Sequence, residues 1–210
     1  MKVILIPILV VLVFIATFAC DSTSESSQTE EPLDYKSEIA QHRSEKDAMF
    51  KEDEESPLSE LDKAYFDGLK YFPIDETYKV EATLTRFIVQ ETLTTITSTG
   101  EDRTYNQYGW VKFELNGKTH KMLVLQPTEE ELEDYFFLPF ADETSAEETY
   151  GGGRYLDIEV IDKQSTVIVD FNLAYSPYCA YSDKFSCPIP PEENFLKTKI
   201  KAGEKVFSEY

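Results

Sequence analysis

Apolar positions fall into three regimes along the chain, and each predicts a different kind of element. From Val3 to Phe18 they run continuously, broken only by Pro7 and Thr17; from Asp34 to Leu69 they return at helical spacing; from Tyr78 onward they alternate. Tyr35, Ile39, Met49 and Phe50 mark a narrow stripe on a helix predicted over Asp34–Glu52, with Asp34 as its N-cap. Leu58, Leu61, Tyr65 and Leu69 share one face of a second predicted helix within Ser56–Leu69. There Ser56 suits the N-cap, Pro57 the first helical position and Gly68 the C-terminal stop.

Beyond Tyr78 the period becomes that of strands. Val80, Ala82 and Leu84 alternate in "YKVEATLTRF", and the β-branched "ETLTTITST" continues or pairs with it. In "GWVKFELNGKTHKMLVL", Val111, Phe113 and Leu115 alternate, Asn116-Gly117 fits a type I′ turn, and Met122 and Val124 alternate on the return. "YFFLPF" predicts a strand with Pro139 near its end. "RYLDIEVI" and "STVIVDF" predict a second hairpin across Asp162 to Gln164, and "LKTKIKAGEKVF" a closing strand. Helices precede the strands instead of alternating with them, which argues against a parallel α/β sheet. The expected fold is α+β and mainly antiparallel β, a sandwich or partly open barrel, with two N-terminal helices.

The opening apolar run changes the address of the protein. Lys2 supplies a positive start, the run is short for a spanning helix, and Ala19 ends it. Residues 1–19 therefore predict an export signal. The "TFAC" ending is similar to a bacterial lipobox, with Cys20 as the lipidated residue, although Thr17 stands where leucine is more usual. An ordinary signal peptide or an uncleaved anchor is the alternative, and all three place the rest of the chain outside the cytoplasm. The lipidated Cys20 and "DSTSESSQTEEP" make residues 20–32 a flexible acidic tether, since the segment has nothing apolar to bury. Residues 33–210 suit a single globular domain. The expected location is the cell envelope, on the periplasmic or cell-surface face.

Charge narrows the partners. Twenty Lys and Arg against 40 Asp and Glu give a formal net charge of -20. That opposes binding to phosphate backbones or anionic headgroups, so no nucleic acid is expected, and membrane contact runs through the lipid alone.

The residues also exclude several chemistries. With only His42 and His120 present, one chain cannot build a histidine-rich metal centre, and no serine sits in a G-x-S-x-G elbow. "GGGR" resembles phosphate-cradling loops but runs into an apparent strand, where a nucleotide loop would open a helix. What remains is that Gly151 to Gly153 permit a tight or left-handed turn that delivers Arg154 to the base of a strand. Arg154 can clamp an anion or pair with Asp142, Glu147 or Glu148. The acidic run Asp142, Glu143, Glu147 and Glu148 lacks the EF-hand spacing, and no metal or cofactor is expected. Cys179 and Cys187 close a short loop that an oxidising compartment would staple as a disulfide, worth roughly 2–3 kcal/mol in the loop-closure account. A reactive pair is the alternative, for which Lys184 is the local cation. Phe171, Tyr175, Tyr178, Tyr181 and Phe185 can line a pocket for an apolar or sugar-like ligand or form the core of a loop-rich end. Asp170 and Asn172 form a buried network or a ligand-facing pair.

The stretches "DYKSEIAQHRSEKDAMFK", "SPL", "FDGLKYFPID", "FADETSAEETYGGGRYLDI", "DFNLAYSPYCAY", "SCPIPPEENFL" and "IKAGEK" together resemble an uncharacterised prokaryotic family, domain-of-unknown-function family 1684. The resemblance spans nearly the whole chain after the tether and implies no reaction. The functional expectation is a lipid-anchored domain that binds a small polar or anionic ligand near the Gly151–Asn194 block. Arg154, Asp170, Asn172 and Tyr181 are its expected ligand contacts. The alternatives are a hydrolase using Glu148 and Asp170 as acid and base, and a stapled structural or protein-docking module.

Overall fold

Asp34 opens the first helix by accepting the Lys36 and Ser37 N–H groups, two donors that a helix N-terminus otherwise leaves without partners. The computed structural model describes residues 33–161 and 163–207, which belong to one compact unit. The predicted export signal, Cys20 and the tether lie outside the described residues. Helix α1 spans Tyr35–Glu52, as its stripe predicts, but of that stripe only Ile39 and Phe50 are buried. Phe50 anchors the helix, meeting Tyr181 edge-on at 4.8 Å and stacking on Phe66.

Helix α2 is shorter than its pattern predicts, running only over Glu60–Tyr65. Ser59, not Ser56, is its N-cap, in a capping box with Asp62. Ser56 is engaged elsewhere: its hydroxyl donates to the Phe50 carbonyl and accepts the Leu58 N–H. That bond holds Pro57 and Leu58 out of the helix and lets Leu58 join Phe50, Phe66 and Leu69 in a small core. Leu61 and Tyr65, expected on the buried face, are exposed.

The strands are β1 (Lys79–Arg86), β2 (Thr92–Ile96), β3 (Asp102–Leu115), β4 (Lys118–Pro127), β5 (Phe136–Asp142), β6 (Arg154–Ile158), β7 (Thr166–Asp170) and β8 (Phe195–Leu196). They form one mainly antiparallel, curled half-barrel sheet in the order β6-β5-β4-β3-β1-β7, with β2 on β3 and β8 parallel to β5. One face carries the main core, including Leu84, Val111, Phe113, Met122, Leu138 and Val169. The other carries an aromatic cluster around Tyr105, Phe137 and Tyr155.

The β3–β4 hairpin closes at Leu115 and Lys118, with Asn116 at φ 52° and Gly117 at φ 70°, as a type I′ turn requires. Further along, a bulge between Gln107 and Gly109 inserts one residue into β3. A bulge inverts the alternation, so Tyr105 and Val111, of the same parity, face opposite sides. Gly109 permits the close approach of β1 there: a Cβ would lie 2.4 Å from the Thr85 carbonyl oxygen.

Three strand expectations change in the folded chain. β6 and β7 are not a hairpin. β6 pairs with β5 and β7 with β1, so they stand at opposite ends of the strand order. Leu156, Ile158, Val167 and Val169 all enter the same core, and the curl of the sheet brings its two ends together around it. The expected closing strand is reduced to Phe195–Leu196, because the carbonyls beyond it bond to a side chain instead of a ladder. Pro139 lies in the middle of β5, opposite Tyr155, instead of near the strand's end. Proline has no N–H for the β4 side. The buried Asn194 amide bridges the gap: its Oδ1 accepts the Leu123 N–H at 2.6 Å, and its Nδ2 donates to Leu123 O and Pro139 O.

Candidate functional site

Arg154 occupies the first position of β6 because Gly153, at φ +87°, turns the chain sharply just before it. A Cβ on Gly153 would lie 2.6 Å from the Phe140 carbonyl oxygen, so the turn also requires glycine sterically. The guanidinium is 1 % exposed. It donates to Asp142 Oδ2 at 2.8 Å and to the carbonyls of Ile200, Ala202 and Glu204. Burial lowers its pKa from the ordinary value, and the Asp142 carboxylate opposes that fall. The result is a sealed knot that fastens the C-terminal segment to the sheet.

The other expected contacts are committed in the same way. Asp170 accepts the Tyr35 hydroxyl and the backbone and amide N–H groups of Asn172. Asn172 further bonds both the N–H and the carbonyl of Asp75. Together these residues tie the start of α1 to the end of β7. Tyr181 donates to Glu204 Oε2 at 2.6 Å, and Glu204 also accepts the Ser176 N–H and the Lys46 ammonium. Burial and the neighbouring Glu204 raise the Tyr181 pKa well above its ordinary value, so the phenol remains a donor. Glu148 pairs on the surface with Lys201 at 2.9 Å. It shares no hydrogen-bond or ion-pair partner with Asp170. Among the described residues, no group of three or more His, Cys, Asp and Glu could hold a metal ion.

A cavity of about 910 Å³ opens on the aromatic face of the sheet. Three strand segments supply its wall by period-two alternation: Arg103 and Tyr105, Tyr135 and Phe137, Tyr155 and Asp157. Helix α1 supplies a second wall through His42, Glu45, Lys46 and Met49, which recur at one-face helical spacing. The segment Tyr175–Pro188 closes the third side with Tyr175, Tyr178, Phe185 and Cys187. None of Arg154, Asp170, Asn172, Tyr181 or Glu148 lines the cavity.

Several of its polar groups are bonded to one another. Tyr135 and Tyr175 both donate to Asp157 Oδ1, at 2.7 and 2.9 Å. Burial raises both phenols far above their ordinary pKa, so they stay neutral donors. Tyr155 donates to the Pro188 carbonyl, fixing the far rim. The Lys46 ammonium sits 4.7 Å from the Tyr175 ring centroid, its charge balanced by Glu204 at 2.5 Å. Arg103 is exposed at the mouth beside Tyr105, where it offsets part of the pKa rise that burial causes.

Sequence reasoning found Tyr175, Tyr178 and Phe185 as pocket candidates but missed the strands and α1. The missing signal was in plain view as "RTY", "YFF" and "YLD", an aromatic or charged residue at every second position. The bulge in β3 and the strand order conceal that these positions share one face.

The family model described as "Protein of unknown function (DUF1684)" matches residues 64–205. No curated protein matches the chain. Among solved structures, the solution NMR structure of an uncharacterized protein from Haloarcula marismortui is similar, with 36% sequence identity and a TM-score of 0.64. The match covers 82% of this chain and 94% of that one.

Proposed function

The chain belongs to the DUF1684 family, and on that premise we propose that it is a lipid-anchored extracytoplasmic module that binds a small ligand with a flat apolar body and a polar or anionic end. The cavity on the aromatic face carries this reading. Its volume of about 910 Å³ is in the range of small-molecule sites. The partly exposed rings of Tyr135, Tyr175, Tyr178 and Phe185 offer apolar contact surface, backed by the buried Tyr105, Phe137 and Tyr155, while Arg103 at the mouth can receive a negative group. The site touches the Gly151–Asn194 block through Tyr155, Asp157 and Tyr175–Pro188, although through residues other than Arg154 and Asp170. Binding is favoured over a carboxylate hydrolase because Glu148 and Asp170 are held in other contacts away from the cavity lining.

The dye 8-anilinonaphthalene-1-sulfonate, an aromatic body with one sulfonate, tests the site. We expect saturable single-site binding to the folded protein. In Leu132→Trp, which crowds the mouth from an exposed position, affinity should fall by about tenfold or more. Binding that is absent, or that is indifferent to Leu132→Trp, overturns the reading. Anchoring rests on the first 20 residues alone. Radiolabelled palmitate should enter the wild-type protein and not Cys20→Ala, and equal labelling or none in both sinks that part.

A further inference from the structure

The rim of the cavity carries chemistry that ligand stacking does not use. Cys187 lines the cavity, and Cys179, on the short turn Tyr178–Ala180, donates its N–H to Cys187 Sγ at 3.3 Å. Both are half-buried free thiols. The Tyr150 hydroxyl lies 3.7 Å from Cys179 Sγ and 3.5 Å from the carbonyl of the same residue. Ser98 pins the backbone of Cys187 on both sides, accepting its N–H at 3.2 Å and donating to its carbonyl at 2.8 Å. The Tyr150 hydroxyl thus faces the Cys179 sulfur, and the Cys187 sulfur, on a braced backbone, lies against the Cys179 N–H.

We propose that Cys179 and Cys187 form a reactive thiol–disulfide couple at the cavity rim, with Cys179 as the attacking sulfur and small-molecule disulfides as its reaction partners. This goes beyond ligand binding and does not require the cavity to be occupied. Hydrogen bonding from the Cys187 thiol, then from the Ser98 and Tyr150 hydroxyls, draws the Cys179 pKa down to about 6 against the opposing effect of burial. The same pairing raises Cys187. Lys184, the cation expected from the sequence, is not among the main groups acting on either thiol. Hydroxyl and thiol donors do the work assigned to it.

The reaction balances without a cofactor. Cys179 thiolate attacks one sulfur of the small disulfide, a Cys179–S–S–R bond forms, and one thiolate RS⁻ leaves to take a proton from water. Cys187 then releases its proton to water and attacks Cys179 Sγ, expelling the second thiolate. Two cysteines are oxidised by two electrons, and one disulfide is reduced to two thiols.

The test uses the purified full chain, with Cys20, Cys179 and Cys187 resolved by peptide mapping. After brief iodoacetamide treatment at neutral pH, Cys179 should be labelled about tenfold faster than Cys187. Glutathione disulfide should convert the wild type to a Cys179–Cys187 disulfide that reduced glutathione reverses. Cys187→Ser should stop at a mixed disulfide on Cys179. Equal labelling of the two thiols, a mixed disulfide that collects on Cys187, or a bond that glutathione can neither form nor reverse would each overturn the proposal. The labelling comparison needs no substitution, so it decides even if a variant folds poorly.

Discussion

Arg154 and Tyr155 are neighbours on β6, and their side chains leave the strand on opposite faces. Arg154 enters a sealed knot where its donors meet Asp142 and the carbonyls of Ile200, Ala202 and Glu204. Tyr155 enters the open cavity, where its ring is wall and its hydroxyl merely fixes the Pro188 rim. The first region looks chemically expressive in sequence, with a glycine run, an arginine and an acidic cluster, yet its polar groups are bonded to one another. The second is built mostly from tyrosine and phenylalanine, and it is the one with room. A charged side chain points to a ligand only when the fold leaves its hydrogen-bonding capacity open. Burial with satisfied partners makes it a fastening instead.

Three substitutions bear on that contrast. Arg154→Met leaves the Asp142 carboxylate buried without its partner and should cost about 3–5 kcal/mol, read as a fall in the urea midpoint. Dye binding by the molecules that remain folded should persist. If dye binding were lost while the urea midpoint stayed in place, the knot would be part of the site and the division between the regions would fail.

Asn194→Ala removes the amide that bridges β4 and β5 across Pro139. It leaves the Leu123 N–H and the Pro139 carbonyl without their bonds, at a cost of roughly 2–3 kcal/mol. A midpoint unchanged from wild type would mean that the two strands close the gap without it. Leu132→Trp should be the mildest for the fold, within about 0.5 kcal/mol, because the position is exposed. It is nevertheless the substitution expected to weaken dye binding. A large loss of stability there would blur the distinction between the two regions from the other side.

Much of the local structure was legible in the chain. The Asp34 cap, the α1 span, the Asn116-Gly117 turn and the facing of Val111, Phe113, Leu115, Met122 and Val124 all follow from residue type and period. The pairing of Arg154 with Asp142 was one of the two readings its neighbourhood allowed. The site was much less legible. Tyr175, Tyr178 and Phe185 stood out as aromatics near the cysteines, but His42 and Lys46 on α1 and Asp157 on β6 carry no local mark of their shared cavity. Ser56 and Ser59 are the same residue type, and the cap fell to Ser59 while the Ser56 hydroxyl bonds the Phe50 carbonyl at the end of α1.

By itself, then, the sequence determined the kind of element at most positions, the tight turn of the β3–β4 hairpin and the family to which the chain belongs. Only the tertiary structure decided which strands are neighbours, which face each aromatic row presents and which polar groups remain open. Propensity and period act over a few residues and say which side of a strand is apolar. They do not say what lies across from it. β6 and β7 have similar local patterns but join β5 and β1, and one inserted residue near Gly109 turns Tyr105 from the core to the cavity. Those outcomes depend on closing one half-barrel around one core, a condition that no short stretch of chain contains.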